Sequence, residues 1–575
     1  MLVYLLALAP ALLMAFTQPV WSRIDEAHHY DFIAQLGHGG YPLADATLIE
    51  PETLRVMQST GVYLGYAPDS YPVPDVTDMA PPPTGISARA NAAWMTRHLW
   101  QLSYESAQSP LYYLAMAPVW WVVDHLGGPM AAIYTLRAIN ALLLAALAPM
   151  AVMVARVLAP SRHEVAVLAG LFAALLPGLD LNGTRISNDS LAAAVGGLLV
   201  LLTVRWTGSA WSWRRAALAG AILGAGVMVK LTVGGLILAV AVSALWPAAG
   251  RSLGARTARL ALVAGVSFAC TIPWFVLNRH LYGGLLPGYH TQRLSDALMG
   301  SLSAAFIPLD VAVFHISYWT GEPWGVLPLA APFALLAALI AFAAPVGIFS
   351  LLRARVAPGP LLAGAAAVLG LAAVSLLLPA TSGYEFAGPG RYAYPALPAA
   401  AALCAVGVVT VVRDVIARRA LAIVYAAGAV SMLGLGAAGV PAPTPLGDGA
   451  PPSSAQVGVV TATGEADGFT ILVDRAAYDA AAGATWFHVT VTNGAAEEAE
   501  WTVPPESVTG TSVVRGDYSR STRLPGDLDP GQTVAGWLYV PVQPSNVRQG
   551  VVLRFTDVTT DGYRSIRDIV VRLAA

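Results

Sequence analysis

A polytopic α-helical membrane protein with a β-sandwich at its C-terminal end is the fold class this sequence predicts. Three observations predict it. The 575 residues have a mean hydropathy of +0.61 and only 11% charged side chains, against about 25% in ordinary soluble domains. Apolar runs near the roughly 20 residues that cross a bilayer recur as far as residue 440, with arginine clusters between alternate pairs. From about residue 455 the pattern becomes short alternating runs separated by turn signals. The net charge of −2 gives no electrostatic ground for a nucleic-acid partner. Cys270 and Cys404 both lie inside apolar runs, so no disulfide framework or cysteine metal site is expected.

The first run, MLVYLLALAPALLMAFTQPV, lacks a basic n-region and an A-x-A site, and reads as a retained span rather than a cleaved signal. Further span candidates cover 130–154, 162–180, 188–205, 214–229, 231–248, 260–278, 328–352, 360–379, 391–411 and 419–440, about 11 transmembrane helices in all. Arginines cluster at Arg156/Arg162, Arg205/Arg214/Arg215, Arg251/Arg256/Arg259, Arg353/Arg355 and Arg413/Arg418/Arg419. The positive-inside rule makes those loops cytoplasmic. The alternate loops are then external, notably 21–129 and 279–327, as is everything after 440. The Ala-, Gly- and Pro-rich composition is bacterial in character, so the expected location is a bacterial plasma (inner) membrane. The segment SPLYYLAMAPVWWVV, 109–123, is apolar enough to span. Counting it would invert the charge pattern of every later loop. Its Trp and Tyr content suits a helix lying in, or dipping into, the outer interface.

Ionisable residues gather at the external ends of these runs. WSRIDEAHHYDFI, 21–33, places Asp25, Glu26 and His29 just after the first span. On a helix Asp25 and His29 are i,i+4 neighbours. A carboxylate there can act as a base, or with histidine hold a divalent cation; acids also simply favour helix starts. Glu105 and Gln108 precede the interfacial segment, Asn188 and Asp189 open a span, and Lys230 separates two apolar runs. Arg279 and His280 end another run, and Arg391 begins one. Each has an ordinary structural explanation as cap, snorkelling cation or interface anchor. Their convergence on one membrane face is harder to explain that way, because ionisable groups near membrane depth are costly. Cations for an anion, carboxylates for a base and surrounding spans for a lipid tail suit a lipid-linked phosphate sugar as donor.

The motifs RIDEAHH, YESAQSPLYY, SND and GPGRYAYPALP, in this order and at these span ends, resemble the GT-C superfamily of membrane glycosyltransferases. That superfamily includes the dolichyl-phosphate-mannose protein mannosyltransferases and related bacterial integral membrane proteins. The resemblance covers about residues 1–440. It implies sugar transfer from a polyprenyl-phosphate donor to a hydroxyl of a glycan, protein or lipid acceptor on the extracytoplasmic face, with inversion. It implies Asp25 as catalytic base with Glu26 and His29 as companions. By position, Lys230, Arg279, Arg391, His29, Glu105, Asn188 and Asp189 become candidates for substrate and lipid-phosphate binding. A divalent cation (Mg, Mn or Ca) on Asp25, Glu26 and His29, with Glu105 at hand, stays open. The chain departs from the family pattern at Pro19, displaced from its place before the acidic motif, at Ser109, at Pro389 and at the adjacent Asn188 and Asp189.

The domain organisation expected is a transmembrane catalytic domain over 1–440, a Pro/Gly/Ser linker over 441–456 and an extracytoplasmic β-sandwich over 457–575. GFTILVD, TWFHVTVTN, TVAGWLYVPV, GVVLRFTDV and IRDIVVRL are its expected strands. Trp486, Trp501 and Trp537 offer sugar-stacking surfaces, although Trp486 and Trp537 sit where core packing is expected. Rival readings are a polyprenyl-linked glycan transporter or flippase, a non-catalytic lipid-binding scaffold, and a metal-dependent phosphotransferase. The chain shows no repeated halves, which a transporter often has.

Overall fold

The computed structural model describes residues 1–21, 25–60, 101–209, 211–247, 252–285, 307–321, 330–382 and 390–438. It also describes 449–573 except 482, 502–505, 510–511, 516–520, 523, 543–550 and 561–564, and scattered positions within 61–100. Most of the expected 279–327 loop, linker residues 441–448 and Pro389 lie outside the described residues. By its internal contacts the chain divides into two compact units. One comprises Met1–Ala44, Ile49–Thr60 and Ser103–Val440; the other comprises Asp45–Leu48, Gly61–Leu102 and Pro441–Ala575.

The first unit is helical. Among the described residues, eight helices are long and apolar enough to cross a bilayer, and each falls on an expected run. That criterion does not by itself confirm the expected count of about 11. Leu2–Thr17 and Leu231–Leu245 are shorter apolar helices, and the helix on run 214–229 has 17 residues. In chain order the helices that position the site are α1 (Leu2–Thr17), α2 (Glu26–Gly37), α3 (Pro51–Ser59) and α4 (Leu111–Ala145). After α5 (Leu147–Leu158), α6 (His163–Ala174) and α7 (Pro177–Gly183) come α8 (Asp189–Trp206) and α9 (Trp213–Val229).

Residues 111–123 of the segment 109–123 fall in the first half of α4. A non-helical residue, Gly128 at φ 76°, separates it from the second half, because Gly127-Gly128-Pro129 offers both a residue free of Cβ and one without an N–H. The first half buries Tyr112, Tyr113, Met116, Ala117 and Trp120. Trp120 packs edge-on to Tyr30 of α2 and to His38 just past its end. A Cβ at Gly37 would meet the Trp120 ring at 2.4 Å, so glycine permits this approach.

The second unit contains two antiparallel sheets sharing one core. Two short strands, β1 (Tyr63–Leu64) and β2 (Tyr71–Pro72), pair within the first-loop segment. Beyond the linker, β3 (Gln456–Ala466), β4 (Phe469–Asp479) and β5 (Ala484–Asn493) follow. With β10 (Thr533–Val540) they form a sheet of order β10-β5-β4-β3. The other sheet is built around β11 (Val552–Thr560), which pairs with β12 (Ser565–Arg572) and with the short strands β6 (Ala499–Glu500) and β7 (Glu506–Thr509). Strands β8 (Ser512–Arg515) and β9 (Asp527–Leu528) complete it. Phe469, Ile471, Phe487, Val489 and Leu538 from one sheet meet Leu553, Phe555, Ile569 and Val571 from the other, with Trp501 among them. The expected strand runs fall on β4, β5, β10, β11 and β12, since alternation puts every second side chain into that core.

Candidate active site

Span one ends at Gln18, and α2 begins with Asp25 as its N-cap residue at φ 20°. A non-glycine residue rarely holds that backbone. Its neighbour Glu26 shows what holds it. The Arg137 guanidinium of α4 donates to both Glu26 carboxylate oxygens at 2.8 Å, and the Ile186 N–H donates to Oε1 at 2.9 Å. Arg137 also donates to the carbonyls of Gln18 and Pro19. Both side chains are 1% exposed. Burial acts to raise the Glu26 carboxyl pKa, but the Arg137 charge and hydrogen bonds outweigh it and hold the carboxyl below its usual range. The pair therefore ties the end of α1, the start of α2 and the loop before α8 together.

Asp25 faces the other way. Tyr104 donates to its Oδ1 at 2.8 Å, and Arg391 lies 3.5 Å from its Oδ2. One helical turn on, His29 Nδ1 lies 2.7 Å from the Tyr113 hydroxyl and 3.3 Å from Glu105 Oε2. Burial lowers the His29 pKa to about 3, leaving a neutral imidazole. Burial, with Asp25 nearby, raises Glu105 well above the ordinary carboxyl range. Asp25, His29 and Glu105 offer ligand atoms that all lie within 4.8 Å of one another. Two carboxylates and an imidazole suit a divalent cation, so these residues fit one. In this arrangement Glu105 stands where the sequence suggested Glu26, which is engaged by Arg137.

A cationic group closes the site. Lys230 Nζ donates to Asp189 Oδ1 at 2.6 Å, and Arg391 Nε lies 3.6 Å from Asp189 Oδ2. Arg391 thus bridges Asp189 and Asp25. Lys230 also sits 4.4 Å over the Tyr392 ring. Asn188 donates to the Val229 carbonyl at 3.1 Å, fixing the approach of α8 to the end of α9. Among the expected site residues, the structure brings together Asp25, His29, Glu105, Asp189, Lys230 and Arg391, with Glu26 and Asn188 behind them. Arg279 stands elsewhere: it is exposed and donates to the Gly283 carbonyl at its own helix end. Sequence reasoning missed Arg137, Tyr104, Tyr113 and Tyr392. Arg137 had a signal, a lone cation inside an apolar run. The tyrosines had none beyond neighbouring the motifs.

Residues 111–283 match the model of the family described as dolichyl-phosphate-mannose-protein mannosyltransferase. Over that stretch the chain is similar to the protein mannosyltransferases. The match bears out the resemblance read from the sequence motifs. It begins at α4 and takes in Arg137, Asn188, Asp189 and Lys230. No curated protein matches the chain. Among solved structures, ArnT from Cupriavidus metallidurans bound to undecaprenyl phosphate matches at 15% identity and a TM-score of 0.39, over 71% of this chain and 59% of that one. The archaeal oligosaccharyltransferase AglB from Archaeoglobus fulgidus, in complex with an inhibitory peptide and a dolichol-phosphate, matches at 13% identity and a TM-score of 0.42, over 77% of this chain and 56% of that one. The chain therefore spans less than two thirds of the length of these structures.

Proposed function

We propose that the protein is a membrane glycosyltransferase that moves a sugar from a polyprenyl-phosphate donor to an acceptor hydroxyl. The observation that carries this is the Arg391 bridge. Arg391 lies between a strained, partly exposed Asp25 and a buried Asp189, and Lys230 pairs with the same Asp189. Asp25 removes the proton from the acceptor hydroxyl as that oxygen attacks the anomeric carbon. The bond from that carbon to the phosphate oxygen breaks, and the sugar configuration inverts. Lys230 and Arg391 take up the charge that develops on the leaving lipid phosphate. The arginine pattern of the loops supports an extracytoplasmic reaction face in a bacterial inner membrane. A divalent cation on Asp25, His29 and Glu105 would supply Lewis-acid stabilisation of phosphate. The acceptor is a cell-envelope glycan, protein or lipid.

The test is transfer in nanodiscs from polyprenyl-phosphate mannose, glucose and arabinofuranose to membrane-extracted acceptors, with Asp25→Asn alongside. Transfer by the wild type that collapses in Asp25→Asn supports the reading. Equal transfer by both proteins removes Asp25 as base. A folded wild type that binds polyprenyl phosphate without turnover favours a carrier or scaffold. A chelator arm separates the base role of Asp25 from a metal role: loss of transfer restored by added cation requires the metal.

A further inference from the structure

The second unit carries a polar and aromatic surface that the transfer reaction does not use. On the face of the four-stranded sheet turned away from the shared core, strand register sets out cross-strand rows. Thr470, Thr492 and Thr533 form one row, and Leu472, Thr490 and Ala535 the next. Arg475, His488 and Trp537 form a third. Rows are two residues apart, so the threonine row lies about 14 Å from the Trp537 row. The Thr492 and Thr533 hydroxyls are 3.0 Å apart. A fourth row, Ala477, Trp486 and Tyr539, is buried and anchors one end.

A β-bulge shapes the third row. Pairing shifts between Val473 and Arg475, which leaves Asp474 as the extra residue. A bulge re-aims side chains. Here Asp474 Oδ1 lies 2.6 Å from His488 Nδ1, and Arg475 NH2 lies 3.1 Å from His488 Nε2. The His488 ring meets Trp537 edge-on at 5.0 Å, and the Arg475 guanidinium lies 5.4 Å from the Trp537 ring centre. The Asp474 and Arg475 side chains are 39% and 45% exposed. Sequence position suggests core burial for Trp537, but the core takes Trp501 instead and leaves Trp537 half-buried on the opposite face.

We infer that this surface, Trp537 with Asp474, Arg475 and His488 at its edge and the threonine row beyond, binds a neutral saccharide chain. An indole presents an apolar face to the C–H face of a sugar ring, while carboxylate, guanidinium and hydroxyl groups pair with its hydroxyl rim. The charges of Asp474 and Arg475 cancel, and exposed Glu465 of β3, opposite Thr470 in the threonine row, leaves the surface net negative, which repels an anionic glycan. Exposed Val459, paired with Arg475, and Val457, paired with Ala477, extend the apolar floor beside the indole. The length of the rows suits several sugar units.

This site does not depend on the transferase reading, because its test measures binding. The full chain in nanodiscs is applied to an array of neutral glucan, mannan, galactan and arabinan oligosaccharides, with uronate oligosaccharides beside them. At least one neutral class binds. Trp537→Ala and Arg475→Ala each weaken that binding about tenfold or more without lowering the melting temperature, and Arg572→Ala, in the other sheet, does not. Arg475 is exposed, so its variant guards against misfolding at Trp537. No neutral binding, binding confined to uronates, or unchanged affinity in both Trp537→Ala and Arg475→Ala overturns the inference.

Discussion

Asp25 and Glu26 are neighbours with opposite surroundings, and the two predict different losses. Asp25 is partly exposed, strained and flanked by Tyr104 and Arg391. Asparagine tolerates its backbone at least as well, so Asp25→Asn should melt like the wild type while transfer falls by about 10²–10⁴-fold. Thermal unfolding and turnover on one preparation check this. Glu26 is buried and paired with Arg137. Removing one partner of such a pair costs about 3–5 kcal/mol. Glu26→Gln should therefore lower the melting temperature clearly, and its transfer defect should follow misplacement of Asp25. Lys230→Met leaves Asp189 with Arg391 alone. It should raise the donor KM more than it lowers kcat, as measured by titrating the donor.

Helices approach through residues that lack side chains. In the helices Ala330–Arg353 and Leu397–Val411, Gly347 and Gly407 meet. A Cβ on Gly407 would lie 2.3 Å from Ala343 backbone atoms, and one on Gly347 2.7 Å from Gly407. Small residues let backbones touch where lipid supplies no hydrophobic drive between helices. Gly407→Leu should force this pair apart and lower the melting temperature in detergent by several degrees or more, while Gly254→Leu, in open space, should not. The same crowding holds α2 against α4, where Gly37 admits Trp120 and so sets where His29 meets Tyr113.

At the scale of the whole molecule, part of the first loop belongs with the C-terminal strands. Gly61–Leu102 and Pro441–Ala575 fall in one unit, and within it His98 lies 3.6 Å from Glu500. The domain plan expected from sequence assigned the whole loop to the transmembrane part. A truncation after Val440 removes Glu500, which His98 faces, and should expose the chain around His98 to protease. Limited proteolysis with mass spectrometry would show new cuts in that segment, and an unchanged pattern would refute the dependence.

Span-like runs, alternating strands and the acidic motif after the first span were legible because each is local. Hydropathy over about 20 residues, period-two alternation and adjacent charges need no knowledge of distant chain. Asp25, His29, Asp189, Lys230 and Arg391 were therefore named from sequence alone. Tertiary structure decided their partners. Glu26 looked like a ligand beside Asp25, yet a helix N-terminus turns successive side chains apart, and Arg137, 111 residues away, claims it. Glu105 reaches His29 only because the turn before α4 packs on α2. Arg279 is left out because its helix ends elsewhere. Trp537 sits in a strand-like run where core packing is expected and Trp501 does not, yet strand register and pairing assign Trp501 to the core and Trp537 to the open face, since a one-residue shift exchanges the two faces.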